Sequence, residues 1–238
     1  MRRNDSQRLQ VVDCAVVGAE TGTENGKEPR GARSFDLRER KRIRTRLMIQ
    51  TEALRLFAER GYAQTTVEEI ADAAAISPRT FFRYFPSKED VVMWDEYDDP
   101  VALDLLEQRP GDEPLVETML AVIRETLGGL HRHDPERLLA RVQLMFTVPE
   151  LRARFLDMQA QGVHDLAQLL RGKREVAADD LSVQVVGSAL FAAVSVALDR
   201  WQKDEGKSDP LALLDRATDA LAEGVRELRR PQAGQAAL

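Results

Sequence analysis

The chain has 238 residues, of which 43% are hydrophobic and 31% charged, so it is long and apolar enough to bury a sizeable core. Its single cysteine, Cys14, excludes an intramolecular disulfide framework and a cluster of thiolate metal ligands. The net charge of −6 is unevenly distributed, because residues 1–94 carry +3 and residues 95–238 carry −9.

The two ends of the chain differ from its middle. Residues 1–36 include AETGTENGKEPRGARS, which is rich in Gly, Thr and Glu and lacks steady periodicity. Such composition is typical of disorder, so we predict a disordered arm at 1–36 and a disordered tail at 231–238. No uninterrupted apolar run approaches the roughly 18–20 residues that span a bilayer, which favours a cytoplasmic protein without membrane contact.

The first predicted helix follows Asp36, a residue that can cap a helix. Apolar residues then recur at helical spacing until Gly61, which supplies a left-handed stop. These apolar positions are Ile43, Leu47, Ile49, Ala53, Leu54, Phe57 and Ala58. The helix opens with RERKRIRTR (38–46), which holds six basic residues and one acid. Such a cluster favours contact with a polyanion, although a solvated helix face would show the same pattern.

Capping residues predict three short helices after the first. Thr66 begins one helix, with Glu69 three positions further on, as in a capping box. Ser77 begins the next, with Pro78 at the first helical position, where its missing N–H costs nothing. Ser87 begins the last of the three. The spacing therefore predicts compact helices joined by short turns.

Residues 66–85 have the layout of a helix-turn-helix, whose second helix enters the major groove of DNA. The turn carries Ala75 where a glycine would be expected. In the second helix, Phe81 and Phe85 are four residues apart and predict a single inward stripe. The polar residues Arg79, Thr80 and Arg83 would be unusual in a buried helix.

Two further aromatic residues of this helix, Phe82 and Tyr84, do not fit the inward stripe. They must face outward or sideways, where rings can contact a thymine methyl group or a sugar edge. The hydroxyl of Tyr84 can also donate to a phosphate. The excess of aromatic residues therefore favours a DNA-facing helix over a core helix.

Beyond Trp94 the sequence remains helical, with breaks at prolines. The candidate helices are 114–132, 135–147, 150–172, 179–204 and 210–229. No segment shows the sustained alternation of a half-buried strand. The predicted fold is all-α, with one domain at 37–94 and a larger helical domain at 95–230.

Two adjoining segments resemble the DNA-binding signature of TetR-family transcriptional regulators. They are TRLMIQTEALRLFAERGY and TTVEEIADAAAISPRTFFRYFPSKEDVV, within roughly residues 38–94. The resemblance implies an N-terminal three-helix helix-turn-helix DNA-binding domain and a larger helical ligand-binding and dimerisation domain. It also implies a homodimeric repressor that a small molecule releases from a near-palindromic operator. An activator, or a regulator without an effector, would share the fold.

The resemblance implies a set of DNA-contacting residues. They are Arg44, Arg46, Thr66, Ser77, Pro78, Arg79, Thr80, Phe82, Tyr84 and Lys88. Thr66 and Lys88 would contact phosphates, as would the two arginines of the first helix, and Arg79 could bind guanine O6 and N7. Many family members have tyrosine at the position of Phe82 and histidine at that of Tyr84. Phe82 would therefore make an apolar contact where a hydroxyl was expected.

The C-terminal helices offer candidates for an effector pocket and a dimer interface. The pocket candidates, which core packing would explain equally well, are Met119, Ile123, Phe146, Phe155, Met158, Phe191 and Trp201. Arg141 and Gln143 could hold a polar group of the ligand. The interface candidates, for which an intramolecular core is the alternative, are Gly187, Ala192, Leu213, Ala217 and Leu221.

Other chemistries find little support in the sequence. HRHD (131–134) is more typical of a polar helix end than of a metal site, so we predict no metal and no cofactor. The chain lacks a convincing G-x-S-x-G elbow, a phosphate-cradling glycine loop and H-E-x-x-H, which argues against an enzyme. The predicted partners are operator DNA, a second copy of the chain and a small-molecule effector.

Overall fold

The computed structural model describes residues 37–95, 105–106, 108–110, 112–174 and 181–228, with the backbone alone for 166–174 and 228. The predicted arm at 1–36 and tail at 231–238 lie outside these residues. The described parts of the chain form nine main α-helices and contain no strand. The prediction of an all-α fold is confirmed.

The nine helices follow the predicted order. The short N-terminal set is α1 (Leu37–Arg60), α2 (Val67–Ala73), α3 (Pro78–Tyr84) and α4 (Lys88–Met93). The longer set is α5 (Leu115–His133), α6 (Pro135–Thr147), α7 (Pro149–Arg174), α8 (Leu181–Lys203) and α9 (Pro210–Leu228). The ends of these five helices lie within one or two residues of those predicted from the sequence.

The short helices begin at the predicted caps. Thr66 Oγ1 accepts a hydrogen bond from the Glu69 N–H, and the Glu69 carboxylate accepts one from the Thr66 N–H, which completes the capping box. Ser77 and Ser87 cap α3 and α4 through the backbone N–H three residues further on. Gly61, with φ of 87°, ends α1 in the left-handed region, as predicted.

The turn between α2 and α3 passes through the left-handed region at Ala75, where φ is 52°. A residue with a Cβ atom adopts this conformation at a cost of about 1–2 kcal/mol. The hydrogen bond from the Ile76 N–H to the Ala71 carbonyl, at 2.9 Å, closes the turn. The position at which the sequence lacks the expected glycine is therefore a strained one.

Two compact units make up the chain, residues 1–47 and residues 48–238. In the first, the described residues are the beginning of α1. In the second, the short helices pack around Phe57, Phe81 and Phe85, and Met145 of α6 belongs to the same core. A second core surrounds Trp201 and joins α5, α6, α8 and α9. The domain boundary near residue 94 stays a prediction.

One helix of the described chain, α8, is long and apolar enough to cross a membrane by length and composition. The sequence-based exclusion rested on uninterrupted apolar runs and overlooked this window. A third of the window is buried within the chain, and Leu190 and Leu198 are among the buried side chains of the helix. A core helix of a helical bundle passes the same test, so the property is weak evidence for a membrane span.

Candidate nucleic-acid interface

Helix α3 is fixed to the protein by two inward phenyl rings, one within the helix and one at its C-cap. Phe81 and Phe85 are buried, and their ring centroids lie 6.0 Å apart. Phe85 also packs edge-on against Trp94, at 5.9 Å. The inward stripe predicted from the spacing of four residues is confirmed. Its burial leaves the opposite face of α3 open to a partner.

The outer face of α3 presents two cations and a phenyl ring. Arg79 and Arg83 are exposed, and Phe82 is 53% exposed with its ring edge-on to Phe81 at 5.5 Å. Tyr84 is half-buried at the side of the helix, where Arg83 lies over its ring at 5.2 Å. The outward placement of Phe82 and the sideways placement of Tyr84 agree with the predictions.

The beginning of α3 is a small polar cluster beside this face. Ser77 Oγ accepts the Thr80 N–H at 3.1 Å and lies 2.9 Å from Thr80 Oγ1. Ser77 is exposed, whereas Pro78 and Thr80 are half-buried. The start of the helix is therefore rigid before any ligand binds, which lowers the entropic cost of docking.

Thr66 combines an exposed position with a structural role. Its hydroxyl is held by Glu69, whose carboxylate also pairs with Arg60 at 2.7 Å. The hydrogen bond from the Thr66 backbone N–H is the main cause that lowers the pKa of Glu69 below its usual range. The phosphate contact of Thr66 stays a prediction, and the capping box fixes the geometry in which it would form.

Lys88 is engaged within the protein, which the sequence did not predict. Its Nζ donates to the carbonyl oxygens of Tyr62 and Thr65 at 3.0 and 3.3 Å and lies 4.3 Å from the Tyr62 ring centroid. The Tyr62 hydroxyl donates to Glu89 at 2.8 Å, and burial is the main cause that raises its pKa. A phosphate contact by Lys88 would add to this role in joining α4 to the end of α1.

In the unit formed by residues 1–47, Arg44 is exposed and Arg46 is half-buried on α1. Both belong to the basic run at 38–46, within which Arg42 lies near Glu39 at 3.8 Å. Six cations on the first turns of one helix suit a phosphate backbone. Their contact with DNA stays a prediction.

A buried polar clamp at the end of α4 was missed by the sequence analysis. The Gln50 amide donates to the carbonyl oxygens of Val91 and Trp94 at 2.7 and 2.9 Å. The last carbonyls of a helix have no partner within it, so each needs one from elsewhere. Gln50 lies on α1 and has no exposed surface.

Arg141 of α6 completes the clamp from the other side. Its guanidinium donates to the carbonyl oxygens of Val92 and Met93 at 2.8 and 2.9 Å and pairs with the Asp95 carboxylate. Both charged side chains are buried. All three nitrogens of the guanidinium are engaged by α4 and Asp95, which argues against the suggested ligand-holding role of Arg141. The C-terminal end of α4 is therefore bound to both α1 and α6.

The predicted pocket residues fall into three environments. Phe146 and Phe155 are half-buried with ring centroids 5.8 Å apart, and Ile123 packs on the same core. Met119 and Trp201 are buried, Phe191 is half-buried and Met158 is 39% exposed. Exposure of Met158 argues against its inclusion in a closed pocket. The other members remain candidates.

The residues predicted for the dimer interface range from buried to exposed. Gly187 is buried against Val163 and Met119 of its own chain, where a Cβ atom would lie 3.1 Å from Val163 Cγ1. Its small size therefore serves packing within the chain, and its assignment to the interface is corrected. Leu213 is likewise largely buried in the Trp201 core. Ala192 and Leu221 are exposed, and Ala217 is half-buried.

Among the described residues, no group of three or more histidine, cysteine, aspartate or glutamate side chains could hold a metal ion. The features that stand out are an exposed, cationic and aromatic helix in a helix-turn-helix, and a helical bundle behind it. Together they define a DNA-binding protein of the helix-turn-helix class.

Comparison with known proteins identifies the family. Residues 49–93 match the bacterial regulatory proteins of the tetR family, and residues 113–226 match the MftR C-terminal domain. The HTH-type transcriptional regulator TcmR of Streptomyces glaucescens is 34% identical over 207 residues, which cover 83% of this chain and 92% of TcmR. The chain belongs to the TetR family of transcriptional regulators, which are DNA-binding proteins and not enzymes.

Two solved structures are similar to this chain. FadR from Bacillus halodurans, a fatty acid degradation regulator, is 22% identical with a TM-score of 0.52 and covers 76% of this chain and 96% of its own. Thermus thermophilus FadR, a repressor in complex with lauroyl-CoA, is 29% identical with a TM-score of 0.47 and covers 75% and 94%. The first likeness supports the helical architecture.

Proposed function

We propose that the chain is a cytoplasmic, homodimeric repressor that a small-molecule effector releases from a near-palindromic operator. The observation that carries the DNA-binding part is the division of α3, with Phe81 and Phe85 buried and Arg79 and Phe82 exposed. A core helix would bury its apolar side chains and would not present a phenyl ring between two arginines.

On the DNA, the exposed face of α3 supplies both base readout and backbone contacts. Arg79, near the beginning of the helix, can donate two hydrogen bonds to guanine O6 and N7, which discriminates against other bases by about 1–3 kcal/mol. Phe82 can pack on a thymine methyl group or a sugar. Thr66, Tyr84 and the arginines of α1 would position the protein through phosphates.

Dimer formation is supported by an exposed apolar stripe on α8. Val185 and Val196 are each 57% exposed, and Ala192 lies between them on the same helical face. On α9, Leu221 and Val225 are 38% and 44% exposed. Such a stripe on two helices suits an isologous contact with a second copy, in which the same patch faces itself.

Effector control is supported by the polar clamp at α4. The helix is held by Gln50 from the DNA-binding part and by Arg141 from the bundle, so a shift of α6 must displace α4 or break buried hydrogen bonds. An effector that favours a shifted α6 lowers operator affinity by its differential affinity for the two states. Activation, or regulation without an effector, uses the same DNA-binding surface and is the alternative.

Selection from a random duplex pool tests the proposal and requires no operator sequence at the outset. Repeated rounds should enrich a two-fold symmetric sequence whose half-sites lie about one helical turn apart or a multiple of it. Size-exclusion chromatography with light scattering should give twice the chain mass. Recovery of a single unsymmetrical half-site by a monomeric protein would contradict the dimeric repressor, and a pool that never enriches would contradict DNA reading.

A further inference from the structure

The seam between α5 and α8 contains buried polar atoms that the DNA-binding mechanism does not use. A Cβ atom at Gly187 would lie 3.3 Å from Met119 Cε, and the rings of His131 and Trp201 lie 5.5 Å apart and edge-on. Met119 precedes His131 on α5, and their respective partners Gly187 and Trp201 follow in the same order on α8. Helices α5 and α8 therefore lie side by side and parallel.

Three polar side chains of these two helices are buried without partners. Thr126 lies about two helical turns beyond Met119 on the same face of α5, and so is level with the stretch of α8 between Gly187 and Trp201. Thr126 Oγ1, His131 Nδ1 and Trp201 Nε1 are buried and make no hydrogen bond to any described residue. The indole is 1% exposed.

Buried polar atoms without partners are costly in a native protein. Each leaves an uncompensated desolvation penalty, and nearly all such atoms in folded proteins are paired. Two of the three, His131 and Trp201, face each other across the α5–α8 seam, in the domain that would hold an effector. Buried polar atoms of this kind can form hydrogen bonds with a ligand that carries its own polar atoms.

The chemistry of these atoms restricts the partner. An indole N–H is a donor only, so it requires an acceptor, which a carbonyl oxygen supplies. The side chains packed around Trp201 are apolar, among them Leu127, Leu138 and Ala197, and burying an unpaired charge there would be very unfavourable. Arg141, a buried cation of the neighbouring helix, is occupied by α4 and Asp95.

We infer that the effector is an uncharged, largely apolar carbonyl compound whose oxygen accepts a hydrogen bond from Trp201 Nε1 in the α5–α8 seam. This inference rests on the proposed effector control. Thr126 and His131 would contact further polar atoms of the same molecule, since each can donate or accept.

The position of this site connects it to the clamp. His131 precedes Asp134, whose carboxylate accepts the Arg137 N–H at 3.0 Å and pairs with Arg137 Nε at 3.2 Å. Arg137 in turn donates to Gln50 at 3.0 Å. A ligand that parts α5 from α8 at His131 moves the first link of a chain of contacts that ends at the carbonyls of α4.

The test follows the indole N–H by NMR in the full-length chain. The protein has two tryptophans, so Trp94→Phe assigns the indole resonance of Trp201. The probes are 9-fluorenone and cyclododecanone, each matched with its hydrocarbon, fluorene or cyclododecane. Either ketone should shift the Trp201 indole proton downfield and bind about tenfold more tightly than its hydrocarbon, the value of one hydrogen bond.

Two variants separate hydrogen bonding from packing. Trp201→Phe keeps an aromatic ring but lacks the donor, so the ketone should lose its advantage over the hydrocarbon, provided that circular dichroism shows the native helix content. Thr126→Val, which is nearly isosteric, offers a milder change and should keep the preference set by Trp201. In Trp94→Phe the preference should also remain.

The outcomes are distinct from those of the DNA selection. A Trp201 resonance that neither ketone moves, or hydrocarbons that bind as tightly as ketones, would overturn the carbonyl site whatever the DNA result. Ketone binding that leaves operator affinity unchanged would retain the site and contradict effector control. Failure of DNA selection alone would contradict the proposed regulator.

Discussion

Arg137 of α6 donates a hydrogen bond to Gln50 of α1 at 3.0 Å, although the two residues are 87 positions apart. Gln50 passes the connection on, because its amide nitrogen holds the carbonyls of Val91 and Trp94. One buried amide thus joins the helical bundle to the end of α4. Together with Arg141, it makes the position of α4 depend on the position of α6.

Removal of one partner of the buried Arg141–Asp95 pair should be severely destabilising. Arg141→Ala removes the buried cation that pairs with Asp95 and donates to two α4 carbonyls, which should lower the free energy of unfolding by about 3–5 kcal/mol. Urea unfolding at fixed protein concentration measures this. The exposed Arg216→Ala on α9 is the matched control and should change stability by less than about 0.5 kcal/mol. If the two variants are equally stable, the Arg141 contacts do not hold α4 in place, which would contradict their proposed role in effector control.

The strained turn predicts a stabilising substitution. Ala75→Gly should raise the free energy of unfolding by about 0.5–1 kcal/mol, because glycine adopts a φ of 52° without the Cβ penalty. Thermal unfolding should show an increase of about 1–4 °C. The neighbouring Ala74, buried with φ of −81°, is the control, and Ala74→Gly should destabilise. A decrease for Ala75→Gly would show that the strain is compensated within the turn.

Replacement of the exposed Phe82 by tyrosine should increase the affinity for DNA. Phe82→Tyr places a hydroxyl on a side chain that is 53% exposed on the outer face of α3. If that face lies against the phosphate backbone, the new hydrogen bond should tighten operator binding about three- to tenfold. Fluorescence anisotropy with the selected operator measures the change. Phe81→Tyr is unsuitable as a control because Phe81 is buried. Tyr84→Phe provides the opposite change, since it removes a hydroxyl beside the same face, and it should weaken binding.

The capping box of α2 predicts a pH-dependent contribution to stability. Hydrogen bonding to the Thr66 N–H lowers the pKa of Glu69, so the folded state favours the carboxylate. Its stabilisation is fully present above the unfolded value of about 4.3 and is lost as the pH falls through the lower folded pKa. Glu69→Gln should therefore be less stable than the wild type at pH 7, and the difference should shrink in acid. A difference independent of pH would assign the effect to packing.

Local pattern was sufficient to predict the helices and the face of α3 that is buried. Helical periodicity, capping residues and prolines act over three or four positions, so the ends of α5 to α9 and the inward placement of Phe81 could be read directly. The roles of Gln50 and Arg141 could not be predicted from local pattern. A polar residue buried by partners more than 40 positions away looks like a surface residue in the sequence.

Contacts between residues distant in sequence also explain why the packing roles of Gly187 and Lys88 were not predicted. Gly187 has the small size of an interface residue, but only the packing of Val163 against it shows that it faces the interior. Lys88 matches a phosphate-contacting position, and the carbonyls of Tyr62 and Thr65 that it binds lie more than 20 positions earlier. In both cases the residue type was compatible with more than one role, and only the tertiary contacts show its role within the chain.

Operator binding by Arg79→Ala tests the central claim most directly. Arg79 is exposed on α3, so the substitution should leave the fold intact and remove the guanine contact. Anisotropy at fixed salt should show affinity for the selected operator reduced by about 5- to 150-fold, with discrimination lost at one base pair of each half-site. Arg216→Ala should bind as the wild type does. Unchanged affinity and unchanged sequence preference in Arg79→Ala would contradict the assignment of α3 as the helix that reads DNA.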